Sequence, residues 1–110
     1  MISSQMLKGV LEGCILRIIS IKETYGYEIS EELNKYGFSK ISEGTIYPIL
    51  LRLEKNKYIV AEYRESSTGP KRKYFSITAT GREELESFFQ SWKKLDYAIN
   101  TLFEKGGKDL

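Results

Sequence analysis

The 110-residue chain has no histidine, one cysteine and two prolines. Without histidine it lacks the commonest general base and the commonest nitrogen ligand for zinc, and no Ser-His-Asp or Cys-His device can be assembled. The lone Cys14 excludes an intramolecular disulfide and any multi-cysteine metal site. Such a chain needs no oxidising compartment, and a cytoplasmic protein is expected. Two prolines and nine glycines exclude collagen-like and proline-rich classes. No stretch approaches the roughly 20 apolar residues of a membrane span. The longest apolar-rich piece, Val10 to Ile21, carries Glu12 and Arg17. It follows no basic leader and precedes no cleavage-like site, so it reads as a folded element rather than a signal peptide. No glycine-rich phosphate loop, metal-spaced ligand set or acid/base pair stands out. Neither a cofactor nor an enzymatic activity is expected.

What is present is a globular composition, 41% hydrophobic and 29% charged, of a length that favours one modest core. The net charge of +2 is too small to argue for nucleic acid, but its distribution is uneven. Residues 1–39 and 76–110 are each net −1, whereas residues 40–75 hold 8 basic and 4 acidic groups, net +4. All of the positive excess lies in the middle third.

Apolar periodicity predicts a first helix over Ser4 to Ile21, apolar on two sides, with Gly9 and Gly13 four apart on one of them. A second helix follows Lys22-Glu23-Thr24, with Thr24 as its cap, Ile29, Leu33 and Tyr36 inward, and Gly37 as its stop. A third helix runs from about Glu43 to Asn56, burying Ile46, Ile49, Leu50 and Leu53. Pro48 confines its start to within about a turn. Ile59 to Arg64 and Lys73 to Thr78 read as strands about the turn signal of Glu65 to Pro70. Ala79 to about Glu104 is a long final helix, and residues 106–110 are expected to fray. Tyr27, Tyr36, Tyr58 and Tyr63 are assigned to packing, and Glu83, Glu84 and Glu86 to an exposed face favoured by the helix N-terminus.

In that last helix Leu85, Phe88, Trp92, Leu95, Ile99 and Leu102 recur at spacings of three and four, a heptad-like seam. A core of this size is not expected to cover both the seam and a two-sided first helix, so a second copy of the chain is inferred to bury part of each. Intramolecular helical packing is the alternative. The fold class is therefore mainly α with a small β-hairpin. Residues 1–78 form a winged helix-turn-helix unit, and residues 79–105 a long C-terminal dimerisation helix.

A helix that enters a DNA major groove needs small or polar residues at its N-terminal end. The third helix begins Ser42-Glu43-Gly44-Thr45-Ile46-Tyr47. Thr45 and Tyr47 project off the inner stripe. Gly44 lets the backbone approach a phosphate, to which the helix N-terminus offers N–H donors. Lys40 precedes the helix and Arg52 lies two turns on. The hairpin tip presents Lys71, Arg72 and Lys73 opposite no matching acids, in position for phosphate contact.

The chain resembles the PadR-type transcriptional regulators over nearly its whole length. The resemblance is carried by Leu7-Lys-Gly-Val-Leu-Glu, Tyr25-Gly-Tyr-Glu-Ile, Glu43-Gly-Thr-Ile-Tyr-Pro-Ile-Leu-Leu-Arg-Leu-Glu and Gly69-Pro-Lys-Arg-Lys-Tyr-Phe-Ser-Ile-Thr. It implies a homodimer joined through its first and last helices, bound to palindromic promoter DNA with Tyr25 near the DNA backbone, usually as a repressor, and released by a small ligand. A narrower resemblance, to the family's short multidrug-sensing repressors, rests on Phe89, Trp92 and Asp96. It implies a pore at the dimer axis in which paired tryptophans sandwich a planar aromatic or cationic molecule. Met6, Gly9, Val10 and Gly13 line it from the first helix. Trp92 is otherwise interface core, and Asp96 a solvated rim residue. Cys14 reads as a buried small hydrophobe, ahead of a redox role. The alternative function is a winged helix that binds another protein rather than DNA.

Overall fold

The computed structural model describes residues 2–38 and 40–107. The elements run α1 (Ser4–Leu7), α2 (Leu11–Ile21), α3 (Gly26–Lys35), α4 (Glu43–Lys55), β1 (Ile59–Ser66), β2 (Gly69–Ile77) and α5 (Ala79–Lys105). The molecule is mostly helical, with one two-stranded antiparallel hairpin and a long C-terminal helix.

The first helix is not continuous. It breaks at Lys8 to Val10, where the Val10 N–H donates to the Leu7 carbonyl at 3.0 Å. Gly9 is a poor helix former. Leu7 and Leu11, on either side of the turn, are both buried, and Gly9 and Gly13 no longer share one helix face. The second helix begins later than expected. Thr24 does not cap it: Tyr25 occupies the cap position without a side-chain cap bond. Thr24 is buried and extended. Its N–H and C=O pair with Phe75 of β2 at 3.2 and 2.7 Å, and its hydroxyl donates to the Glu28 carboxylate at 2.9 Å. Gly37 does stop the helix, at φ +90°. Phe38 N–H donates to Leu33 C=O and Gly37 N–H to Asn34 C=O, the paired bonds of a Schellman end.

The turn into α4 is pinned at the buried Ile41. Its N–H donates to Asn34 Oδ1 at 3.1 Å and its carbonyl accepts from the Ser30 hydroxyl at 2.5 Å. Pro48 sits in the second turn of α4 rather than the first. The bond it cannot make would have gone to the carbonyl of exposed Gly44, which water can satisfy. The helix ends through the same double bond pattern as α3, but with Lys57 at φ 63° in the left-handed position. A lysine gives no stop signal in the sequence.

The hairpin is longer than expected. Glu65, Ser66, Gly69 and Pro70 belong to its strands, and an irregularity between Arg64 and Ser66 admits the proline at the tip. Ile59 and Phe75 anchor the hairpin in a core formed with Ile15, Leu16, Ile19, Ile29, Leu33, Ile46, Leu50 and Leu53. The Thr78 hydroxyl caps α5 by accepting from Gly81 N–H at 2.9 Å, and donates to the Lys57 carbonyl at 2.8 Å. No acid lies in the first turn of α5. The expected dipole role of the glutamates there does not hold, because they fall a turn later. Glu84 instead faces Tyr58 and raises its pKa, by charge first, with burial and a hydrogen bond adding to it. Residues 108–110, the end of the expected frayed tail, lie outside the described residues.

Two substitutions test these junctions. A Cβ on Gly81 would stand 2.0 Å from the Tyr58 carbonyl oxygen, so Gly81→Ala should lower the unfolding free energy by about 2–3 kcal/mol. Lys57→Gly should raise it by about 0.5–1 kcal/mol, because glycine relieves the left-handed backbone. Urea denaturation of both variants decides the signs.

Candidate nucleic-acid interface

The N-terminal ends of α3 and α4 and the distal hairpin enclose an open groove of about 470 Å³. Tyr25, Tyr27, Glu43 and Tyr47 line the helical side. Tyr63, Gly69, Pro70, Lys71, Arg72 and Lys73 line the wing side. The exposed N-terminal end of α4 flanks it, with Gly44 and Thr45 open to solvent. Ser42 makes no side-chain cap bond, and its hydroxyl sits 3.4 Å from that of Thr45. The Thr45 N–H donates to the Ser42 carbonyl at 3.0 Å, which leaves the Glu43 and Gly44 N–H groups without a side-chain acceptor among the described residues, as an anion site at a helix start requires.

The wing cations are not unmatched, as the sequence suggested. Lys73, 22% exposed, pairs with Glu54 at 3.0 Å. Lys71 reaches exposed Glu65 at 3.8 Å. Glu65 opens the turn just before the triplet, and Glu54 lies farther back, on α4. Strand pairing and the end of α4 bring them in. An exposed pair such as Lys71 with Glu65 holds the lysine weakly, so Lys71 stays available. Lys73, more enclosed, is committed to packing α4 against the hairpin. Arg72 and Lys40 make no ion pair among the described residues.

Arg52 is not brought to the groove. It turns toward α2 and pairs with Glu12 at 3.8 Å. Tyr25 is half-buried beside Tyr74, and Tyr47 is exposed. The tyrosines assigned to packing divide differently: Tyr27, Tyr36 and Tyr63 are exposed, and two of them line the groove. Tyr36 falls on the stripe of Ile29 and Leu33, and Tyr63 in phase with Ile59, so periodicity gives no sign of their exposure; Tyr27 alone falls off the stripe of its helix. Glu43 was also missed as a groove residue.

A family model described as the transcriptional regulator PadR-like family matches residues 15–87. The chain belongs to the PadR-like family. The PadR-like transcriptional regulator of Bacillus cereus, solved as a crystal structure, is 59% identical with a TM-score of 0.82, covering 91% of this chain and 97% of that one. A Streptococcus transcriptional regulator is 47% identical with a TM-score of 0.79, covering 91% of this chain and 98% of that one. An uncharacterised protein of Lysinibacillus sphaericus is 40% identical over 106 residues, 94% of this chain and 97% of its own length. The winged helix of this PadR-family regulator is thus the family's fold, and the family is one of transcriptional regulators rather than enzymes.

The remaining PadR-like candidates lie on α5 and the first helices. Trp92, Leu95, Ile99 and Leu102 are exposed along one side of α5, with Phe89 and Phe103 beside them. Leu85 and Phe88 depart from this seam. Leu85 packs on the chain's own core. The Phe88 ring fills the space over Gly13, where a Cβ would stand 2.4 Å from it. These two residues therefore serve intramolecular packing, and Gly13 is a seat for Phe88 rather than an opening. A small cavity of about 180 Å³ remains beside them, bounded by Gly9, Glu12, Leu16, Leu53 and Glu84. Met6 is exposed and Val10 half-buried. Asp96 accepts a bond from Asn100 at 3.0 Å, and Lys93 lies 5.2 Å above the Phe89 ring. Cys14 is half-buried rather than fully buried, and that burial raises the pKa of its thiol. No helix among the described residues is long and apolar enough to cross a membrane.

Phe88→Ala should destabilise the chain by about 1–2 kcal/mol. Trp92→Ala, measured at concentrations too low for association, should change it by less than about 0.5 kcal/mol. Denaturant midpoints of both variants separate the two halves of α5.

Proposed function

We propose that this PadR-family protein is a sequence-specific DNA-binding regulator that acts as a homodimer on a palindromic promoter site, as a ligand-responsive repressor. The observation that supports this most is the groove. The open end of α4, the exposed Thr45 and Tyr47 and the wing cations lie on one surface. In this reading α4 enters the major groove through Gly44, Thr45 and Tyr47. Lys40, Lys71 and Arg72 bind phosphates, with Tyr25 against the backbone. Lys73, paired with Glu54, contributes less. Residues 1–78 carry DNA binding and residues 79–105 carry association through Leu95, Ile99 and Leu102. Covering this apolar face accounts for large side chains otherwise left in water.

The effector would be a planar aromatic or cationic molecule held at the dimer axis by Trp92, Phe89 and Asp96, with Met6, Gly9 and Val10 nearby. It acts only by binding two settings of the recognition helices unequally.

Selection of duplexes from a random pool at two salt concentrations tests the DNA reading. A palindrome with steep salt dependence is expected. Recovery of no sequence, with binding lost at moderate salt, would favour a protein-binding module. Lys71→Ala and Arg72→Ala should each weaken binding to all sequences and make the salt slope shallower by about 1, and Lys73→Ala should do less. Sedimentation equilibrium reads the dimer, which Leu95→Glu with Ile99→Glu should dissociate. Trp92 fluorescence should change on titration with planar aromatic cations; an unchanged signal with unchanged DNA affinity sinks the effector reading.

A further inference from the structure

The outer face of the hairpin sets two arginines directly opposite each other, Arg64 on β1 and Arg72 on β2. Like charges so placed repel and weaken a sheet, yet the two meet different fates. Arg64 is held by the carboxylates of Glu23 and of Glu62, the latter at 3.1 Å. Arg72 meets no carboxylate among the described residues, and its guanidinium lies 4.6 Å from the centre of the Tyr25 ring. Tyr25 in turn meets Tyr74 at 5.3 Å, tilted by 59°. Arg64, on its way to Glu23, crosses the Tyr74 ring at 4.8 Å. The result is a ladder of Arg72, Tyr25, Tyr74 and Arg64, tied at its far end by Glu23 and Glu62. The backbone bridge of Thr24 to Phe75 keeps Tyr25 beside Tyr74.

A carboxylate partner would occupy the in-plane N–H donors of a guanidinium. A ring face does not. It restrains the cation through its π face and leaves the five donors of Arg72 unspent. Such an arginine is fitted to grip a phosphate through two parallel bonds, with little side-chain freedom left to lose. The neutralised Arg64 prevents the pair from carrying two uncompensated charges.

We propose that Tyr25, Tyr74 and Arg64 are positioning residues that preorganise Arg72 as a clamp for one DNA backbone phosphate, and that Arg64 and Glu23 do this without touching the DNA. The inference rests on the DNA-binding reading above. It adds residues that neither charge counting nor the basic triplet marks.

The test is a double-mutant cycle on the selected duplex, with affinities measured over a range of salt. Arg72→Ala should weaken binding about tenfold and make the salt slope shallower by about 1. Tyr74→Leu and Arg64→Gln should each weaken it about three- to fivefold, and Tyr74→Phe, which keeps the ring, should bind as wild type. In the Arg72→Ala background neither Tyr74→Leu nor Arg64→Gln should have a further effect, and thermal melting of each variant reports whether it is folded. Equal losses with and without Arg72, or wild-type affinity in both ladder variants, would overturn the proposal. A wild-type protein that binds no duplex at any salt overturns the DNA reading itself, and the clamp falls with it.

Discussion

The joint on which the winged helix depends is the antiparallel bridge between Thr24 and Phe75. A two-stranded hairpin is marginal by itself. Here the segment entering α3 pairs with the free edge of β2 through both backbone bonds, and Phe75 drops into the core beneath it. One residue further on, the bridge brings Tyr25 against Tyr74. The helical side and the wing side of the groove are thereby set at a fixed separation. Thr24 can be fully buried because each of its polar groups is satisfied, by Phe75 and by Glu28. A side chain that filled the same volume but lacked the hydroxyl would leave Glu28 without this donor.

Around that joint the positive charge of the middle third is sorted rather than pooled. Glu54 takes Lys73, Glu12 takes Arg52, and Glu23 with Glu62 takes Arg64. What is left over is Lys40 before α4, Lys55 and Lys57 at its end, Arg72 on the wing, and Lys71 in a weak exposed pair. Arg52, Arg64 and Lys73 tie elements together, whereas Arg72 and Lys71 line the groove without a strong partner. A count of basic residues overstates the groove's charge, because Lys73 is neutralised there and Arg52 lies elsewhere.

The last helix divides along its length. Its first three turns belong to the core, where Gly81 admits the Tyr58 carbonyl, Leu85 meets the core and Phe88 seats on Gly13. Beyond Phe88 the helix leaves the body of the protein, and its apolar side chains face water in the single chain. A uniform heptad-like pattern covers both parts, since the same spacing serves packing within a chain and packing between chains.

Much of the fold was legible because periodicity and punctuation are local. The stripe of Ile46, Ile49, Leu50 and Leu53, the stop at Gly37 and the hairpin between Ile59 and Ile77 all follow from neighbouring residues, and so does the polar N-terminal end of α4. The basic triplet was legible as composition. What only the tertiary structure decided is where long-range partners meet. The break between α1 and α2 falls at Gly9, a poor helix former, with Leu7 and Leu11 buried on either side of it. Thr24 becomes an edge residue because Phe75, some fifty positions away, offers a free strand edge. Phe88 turns inward because Gly13 leaves room for a ring. Lys73 and Arg72, adjacent in sequence, point to opposite faces of a strand. One therefore meets Glu54 and the other Tyr25. Local patterns determine which elements form. Which cation is neutralised and which is left to act depends on the neighbours that folding supplies.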